Sequence, residues 1–169
     1  TEAAYQIARL GRPARLYEMR PEATTAAHQT ADLAELVCSN SLKSELPNSA
    51  PWLLKQELRR MGSLSMAAAS GARVPGGNAL TVDRRIFSQR VTAAVKKEPL
   101  IELRREEIRA LPLDEIVIVA TGPLTSDALA GSIVALTGNE RLFFYDSISP
   151  IVDAETIDGN IAFPGSRYG

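Results

Sequence analysis

The chain has 169 residues, enough for one domain that buries roughly 70% of its unfolded surface. Its composition, 45% hydrophobic and 23% charged, excludes a disordered or fibrous protein. A formal net charge of −1 excludes a surface that is basic all round but leaves room for a local basic face.

Residues 2–10 read as a helix, with Ala3, Ala4, Ile7 and Ala8 on one face, stopped by Gly11. Residues 14–18, ARLYE, alternate as a strand that points Ala14, Leu16 and Glu18 one way. The opening is therefore expected to be the second half of a strand–helix–strand unit whose first strand is not in the sequence. Residues 20–48 read as irregular at both ends, with a short helical stretch around Leu33, Leu36 and Val37. Ser49 and Pro51 open a helix that runs to about Met61 and stops at Gly62, and Ser63 opens a shorter one through Ala69. Pro75-Gly76-Gly77 is a turn, and Ala79 to Val82 is extended. Asp83 then caps a helix carrying Ile86, Phe87, Val91, Ala94 and Val95. Leu100 to Arg104 is a strand, which Glu106 to Leu111 is expected to continue after a bend. EIVIVA at 115–120 is a continuous apolar run, the pattern of a strand buried on both faces of a parallel sheet. Thr121-Gly122-Pro123 breaks it, a helix follows over 126–136, and 142–145 reads as a strand carrying Phe143, Phe144 and Tyr145 into a core. Strands alternating with helices predict an α/β fold with a mainly parallel sheet.

Two features point to a dinucleotide. A Rossmann fingerprint places G-x-G-x-x-G at the start of a helix and an acidic residue about 20 positions on, at the end of the second strand, where it bonds a ribose hydroxyl. Here the helix, the second strand and its terminal Glu18 are present, whereas the glycines are not in the sequence. Glu18 would stand at the usual distance if the last glycine came immediately before Thr1. The bland alternative is an ordinary strand-end glutamate. The second feature is Ala120-Thr121-Gly122, at the end of an apolar strand pattern about 100 residues later, where small residues let backbone approach a bound dinucleotide.

One cysteine, Cys38, rules out a disulfide framework within the chain and favours a cytoplasmic setting. No apolar run approaches the roughly 20 residues of a membrane span. The opening residues lack the order of a signal peptide, and no leader is expected. Asp127, Asp146 and Asp153 have no metal-ligand spacing, and one cysteine with one histidine is too few for a zinc site, so no metal is expected. His28 and Trp52 read as structural residues. The pairs Arg59-Arg60, Arg84-Arg85, Lys96-Lys97 and Arg104-Arg105 read as solvated faces.

Several segments, in order along the whole chain, resemble the folate- and FAD-dependent tRNA uracil-5-methyltransferases, flavoproteins once called glucose-inhibited division proteins. They are YEMRP (17–21), AHQT (27–30), ELVCSNSLKS (35–44), LLKQELRRMGSL (53–64), RVPGGNALTVDR (73–84), VATGPLTSDAL (119–129), FYDSISPIVDAETID (144–158) and SRYG (166–169). The resemblance implies a Rossmann-like FAD-binding fold, of which residues 1–169 would be a partial domain lacking the first strand and glycine loop. It also implies the chemistry: methylation of a T-loop uridine of tRNA at C5, with carbon from methylenetetrahydrofolate, electrons from reduced FAD, and NADH or NADPH as reductant. Glu18 would bind the adenosine ribose, with Arg20 beside the same cofactor. Glu107-Ile108 would meet adenine through backbone, and Ala120, Thr121 and Gly122 would lie near the pyrophosphate. Cys38 matches a cysteine with a catalytic role. A thiolate there would either add to uracil C6, so that C5 becomes nucleophilic, or stabilise the methylene group carried by the flavin. Otherwise Cys38 is an inert buried residue.

The resemblance further implies that the rest of such an enzyme holds another domain, a further cysteine of catalytic interest and more of the tRNA surface. The 169-residue chain by itself is expected to bind FAD poorly and to lack activity, because the loop amides that hold a pyrophosphate are not in it. Three other readings are a related FAD enzyme acting on the wobble uridine, a non-catalytic flavin-fold module, and a flavin oxidoreductase for a small molecule. No feature of the sequence bears on the oligomeric state.

Overall fold

The computed structural model describes residues 1–138 and 156–162. In chain order the elements are α1 (Glu2–Arg9), β1 (Ala14–Tyr17), β2 (Ser41–Ser44), α2 (Ala50–Arg60), α3 (Leu64–Ser70), β3 (Arg73–Val74), β4 (Ala79–Val82), α4 (Arg84–Lys97), β5 (Ile101–Arg104) and α5 (Asp127–Thr137), with a 3-10 turn at Gly122–Leu124. The described residues divide into two compact units, 1–34 with 92–138, and 35–91 with 156–162.

The first unit is built on a parallel pair. β1 and β5 run in register from Ala14 beside Ile101 to Tyr17 beside Arg104. The ladder extends past both strand ends, with Ala14 N donating to Leu100 O at 2.8 Å and Glu18 N donating to Arg104 O at 3.0 Å. α1 packs on both strands. Its buried residues are Ala4 and Ala8, and side chains this small let a helix lie close to a sheet. Leu33, 1% exposed, anchors the segment after β1, where its N–H donates to Thr92 Oγ1 at 2.8 Å.

The second unit holds an antiparallel sheet of order β2-β4-β3. β2 and β4 pair Ser41 with Thr81 and Ser44 with Ala79, and the irregular register between them accompanies a positive φ of 65° at Lys43. Ser49 and Ser63 cap α2 and α3, each accepting a hydrogen bond from an N–H of the first turn, and Pro51 sits at the start of α2. Asp83 Oδ1 accepts from Arg85 N and Ile86 N, both at 2.9 Å, which starts α4. Phe87 and Val91 of α4 join Leu80 and Val82 of β4 in the core, whereas Ile86 faces outward.

Three sequence expectations are corrected. Residues 115–120 form no strand, and Ile116 is fully exposed, with Ile118 at 59%. A strand exists only with a ladder partner, and no described strand pairs with this run. Residues 106–111 are irregular rather than a continuation of β5, and no helix forms around Leu33, Leu36 and Val37. Two strands were not expected: β2, whose SLKS has no apolar alternation, and β3, which is two residues long. The expected strand at 142–145 lies outside the described residues.

Candidate functional site

β1 delivers Glu18 to the end of the parallel ladder. Arg20, only 4% exposed, surrounds its carboxylate. Arg20 Nε donates to Oε1 at 2.8 Å, Nη2 to Oε2 at 2.9 Å, and the backbone N to Oε1 at 3.1 Å. Burial raises the Glu18 pKa, but the hydrogen bonds and charge of Arg20, with the charge of Arg105, outweigh it and hold the carboxyl below its ordinary value. The group is thus an ionised acceptor. A carboxylate accepts about four hydrogen bonds. Arg20 places two on Oε1 and one on Oε2, so Oε2 keeps capacity for an outside hydroxyl.

Arg105 organises the same corner. Its Nη1 donates to Arg20 O at 3.0 Å and to Ala31 O at 2.7 Å, tying the segment after β1 to the end of β5. The sequence alone suggests a solvated Arg104-Arg105 pair, whereas Arg105 is tied into this corner. Its signal was position: it follows directly on the strand that pairs with the one ending in Glu18. The start of α1 lies at this end of the ladder as well.

A cleft of about 510 Å³ opens within the first unit, a volume in the range of small-molecule sites. Met19, Thr25, Glu107, Arg109, Thr125 and Ser126 are among its walls. None of Glu18, Arg20, Ile108, Ala120, Thr121 and Gly122 is itself in that lining, although chain neighbours of several of them are. Met19 lies between Glu18 and Arg20. Glu107 and Arg109 flank Ile108, which is half-buried, and they bond each other at 3.0 Å. Thr125 Oγ1 donates to Gly122 O at 2.7 Å and shares a 2.5 Å hydrogen bond with Thr121 Oγ1. Gly122 has a φ of +68°, and nothing lies within 4 Å of where a Cβ would be, so backbone there is open to a ligand. Ala120 and Thr121 are exposed. α5 starts at the cleft, capped by Ser126 Oγ, and a helix N-terminus favours anions.

Met19, Glu107 and Arg109, chain neighbours of Glu18, Arg20 and Ile108, line one cleft with Thr125, which bonds Thr121 and Gly122. His28, read as structural, shares a 2.8 Å hydrogen bond between its Nδ1 and Oγ1 of the cleft residue Thr25. Another hollow, about 600 Å³, lies at the opposite end of the ladder by Ala14 and Leu100 and touches none of these residues. Cys38 belongs to the second unit. It is exposed, in the bend before β2 where Ser39 Oγ accepts from Ser41 N at 3.1 Å, so the inert buried reading does not hold. Among the described residues, no helix is long and apolar enough to cross a membrane and no group of three potential metal ligands gathers.

Comparison with known proteins adds the family. Residues 1–169 match the family model described as glucose inhibited division protein A. The methylenetetrahydrofolate–tRNA-(uracil-5-)-methyltransferase TrmFO of Solibacter usitatus is 63% identical over 169 residues, covering 100% of this chain and 38% of the relative. Proteins of the same name from Syntrophomonas wolfei and Aquifex aeolicus are 54% and 52% identical over 168 and 169 residues, covering 99% and 100% of this chain and 38% of each relative. The chain thus spans under two-fifths of the length of these curated relatives. Matched from its first residue to its last, it belongs to the glucose inhibited division protein A family.

Proposed function

We propose that this chain supplies the adenosine side of an FAD site, and the thiol of Cys38, to a tRNA uracil-5-methyltransferase acting on the T-loop. The observation that carries the cofactor reading is the Glu18–Arg20 corner. An ionised carboxylate with an unused lone pair suits a ribose hydroxyl, and the cleft beside it has volume for part of a dinucleotide. Ile108 would meet adenine through backbone, while Ala120, Thr121 and the open Gly122 backbone would pass close to the pyrophosphate. Bound and reduced, FAD supplies the electrons that turn a methylene group from methylenetetrahydrofolate into a methyl group, and NADH or NADPH restores them.

The chain's own residues bind, orient and activate. Glu18 fixes the ribose, Arg20 fixes Glu18, and Arg105 fixes the segment that carries Arg20. Cys38 would act on the uracil ring. Addition of its thiolate to C6 pushes electron density to C5, which is otherwise a poor nucleophile. Its exposure suits that role, and a lone thiol suits a cytoplasmic setting.

The reading is tested on the full-length gene product with labelled methylenetetrahydrofolate and a tRNA transcript. Label at C5 of a T-loop uridine supports it, and label confined to the wobble uridine overturns it. Glu18→Gln should weaken FAD about tenfold or more, since it alters a hydrogen bond to a charged group. Cys38→Ser should retain FAD and abolish methyl transfer; retained transfer would remove the thiol from the mechanism.

A further inference from the structure

Positive charge is unevenly spread along the chain. Residues 35–91 carry eight lysines and arginines against four aspartates and glutamates, a net +4 in a chain whose total is −1. Part of this charge converges in the second unit. Glu45, directly after β2, takes Arg59 Nη2 of α2 on Oε1 at 2.5 Å and Arg73 Nη1 of β3 on Oε2 at 2.7 Å. Lys55 joins them from α2, its Nζ donating to Ser44 O at 2.9 Å and to Pro51 O at 3.0 Å. Burial lowers the Lys55 pKa; Glu45 opposes this, while Arg59 and Lys43 add to it, so the Lys43 charge lies within reach as well. Two arginines therefore share a single carboxylate, with Lys55 bonded to the backbone beside it.

We propose that this cluster is a phosphate-contact surface for RNA, with Lys43, Arg59 and Arg73 as its working cations and Lys55 as the buried support beneath. This deepens the functional reading above and rests on it, since that reading supplies an RNA substrate. The partner follows from charge and exposure. The Arg73 side chain is 54% exposed and that of Arg59 is 34% exposed, while Lys43 is exposed at the irregular step of β2. Arg59 and Arg73 on Glu45, with exposed Lys43 two residues before it in the chain, outnumber that one carboxylate, an excess that a row of phosphates neutralises. Guanidinium forks match phosphate oxygens in pairs. Glu45 has two jobs here. It holds in place two arginines from two different elements, α2 and β3, and it lowers the field they present. Cys38 opens the same stretch of chain, three residues before β2, so RNA held on this unit lies along the segment that bears the thiol.

The experiment measures binding of an unmodified tRNA transcript to the full-length gene product across a salt series, together with FAD content and thermal midpoint. Lys43→Ala and Arg73→Ala should each weaken binding several-fold at about 0.1 M salt and reduce the log–log salt slope by about one. Glu45→Gln should act in the opposite direction and tighten binding, a result that loss of structure does not produce. FAD content should stay at the wild-type level in all three. If the unaltered protein binds the transcript and these variants bind it equally well, the surface is wrong and the functional reading stands. If the unaltered protein does not bind the transcript, the functional reading fails and the surface fails with it.

Discussion

Glu18 is an acid that its surroundings keep charged. Its folded-state pKa lies below the ordinary glutamate value of about 4.3, because Arg20 outweighs burial. A carboxyl depressed in this way contributes stability that is complete above its unfolded pKa and is lost as pH falls through the folded value. Acid titration of the chain should therefore show a loss of stability beginning below about pH 4. Glu18→Gln should flatten that limb, and an unchanged limb would mean that the ion pair does not form. Arg20→Lys should raise the Glu18 pKa, since an ammonium cannot reproduce the two-pronged contact. Carboxyl-carbon NMR reads this directly. Glu18 was legible as a site residue, because a strand ending in an acid at that spacing suits a ribose. The hold of Arg20 on it was not, because a bond between residues i and i+2 depends on how the chain turns after the strand.

Elements with caps were legible, as were β1, β4 and β5, whereas β2 and β3 were not. Ser49, Ser63, Asp83 and Ser126 each precede a helix in the sequence and each accepts a hydrogen bond from its first turn. Ser49 Oγ also donates to Leu46 O at 2.7 Å. Ser49→Ala should cost about 1 kcal/mol in denaturant unfolding. The tight turn before β4 is equally constrained. A Cβ on Gly76 would overlap Thr81 Oγ1 and Cβ, and Thr81 is held in β4 by pairing with both Ser41 and Val74. Gly76→Ala should destabilise the chain by about 1–3 kcal/mol. A cost near zero would mean that the turn relaxes. β2 and β3 escaped the sequence reading because their pairing with β4, rather than any apolar alternation of their own, makes them strands.

Across the whole molecule, the apolar run at 116–119 stands out. Four branched residues, Ile116, Val117, Ile118 and Val119, are at least 41% exposed, and no described strand shares their backbone bonds. An exposed run of such residues invites pairing with another chain. In the 169-residue chain its amides should exchange with solvent without protection, while those of Ile101–Arg104 exchange slowly. Protection of both would show that the run is paired. Ile118→Lys should reduce aggregation and change stability by less than about 0.5 kcal/mol, as expected for an exposed position. We propose that this run takes its place in a parallel sheet when a further strand lies beside it, which would reconcile its buried-strand composition with its exposure here.

The sequence by itself determined the helices, the strands β1, β4 and β5, the acid at the end of β1 and the family, because caps, periodicity and long ordered motifs act locally and survive without a partner. Tertiary structure decided what depends on a neighbour distant in the chain. It withheld a ladder from 115–120, made strands of β2 and β3, turned Arg105 from a surface charge into a clamp, and brought Arg59, Arg73 and Lys55 to Glu45. Hydrogen-bond ladders and ion pairs have two ends, and the amino-acid order names both without saying that they meet.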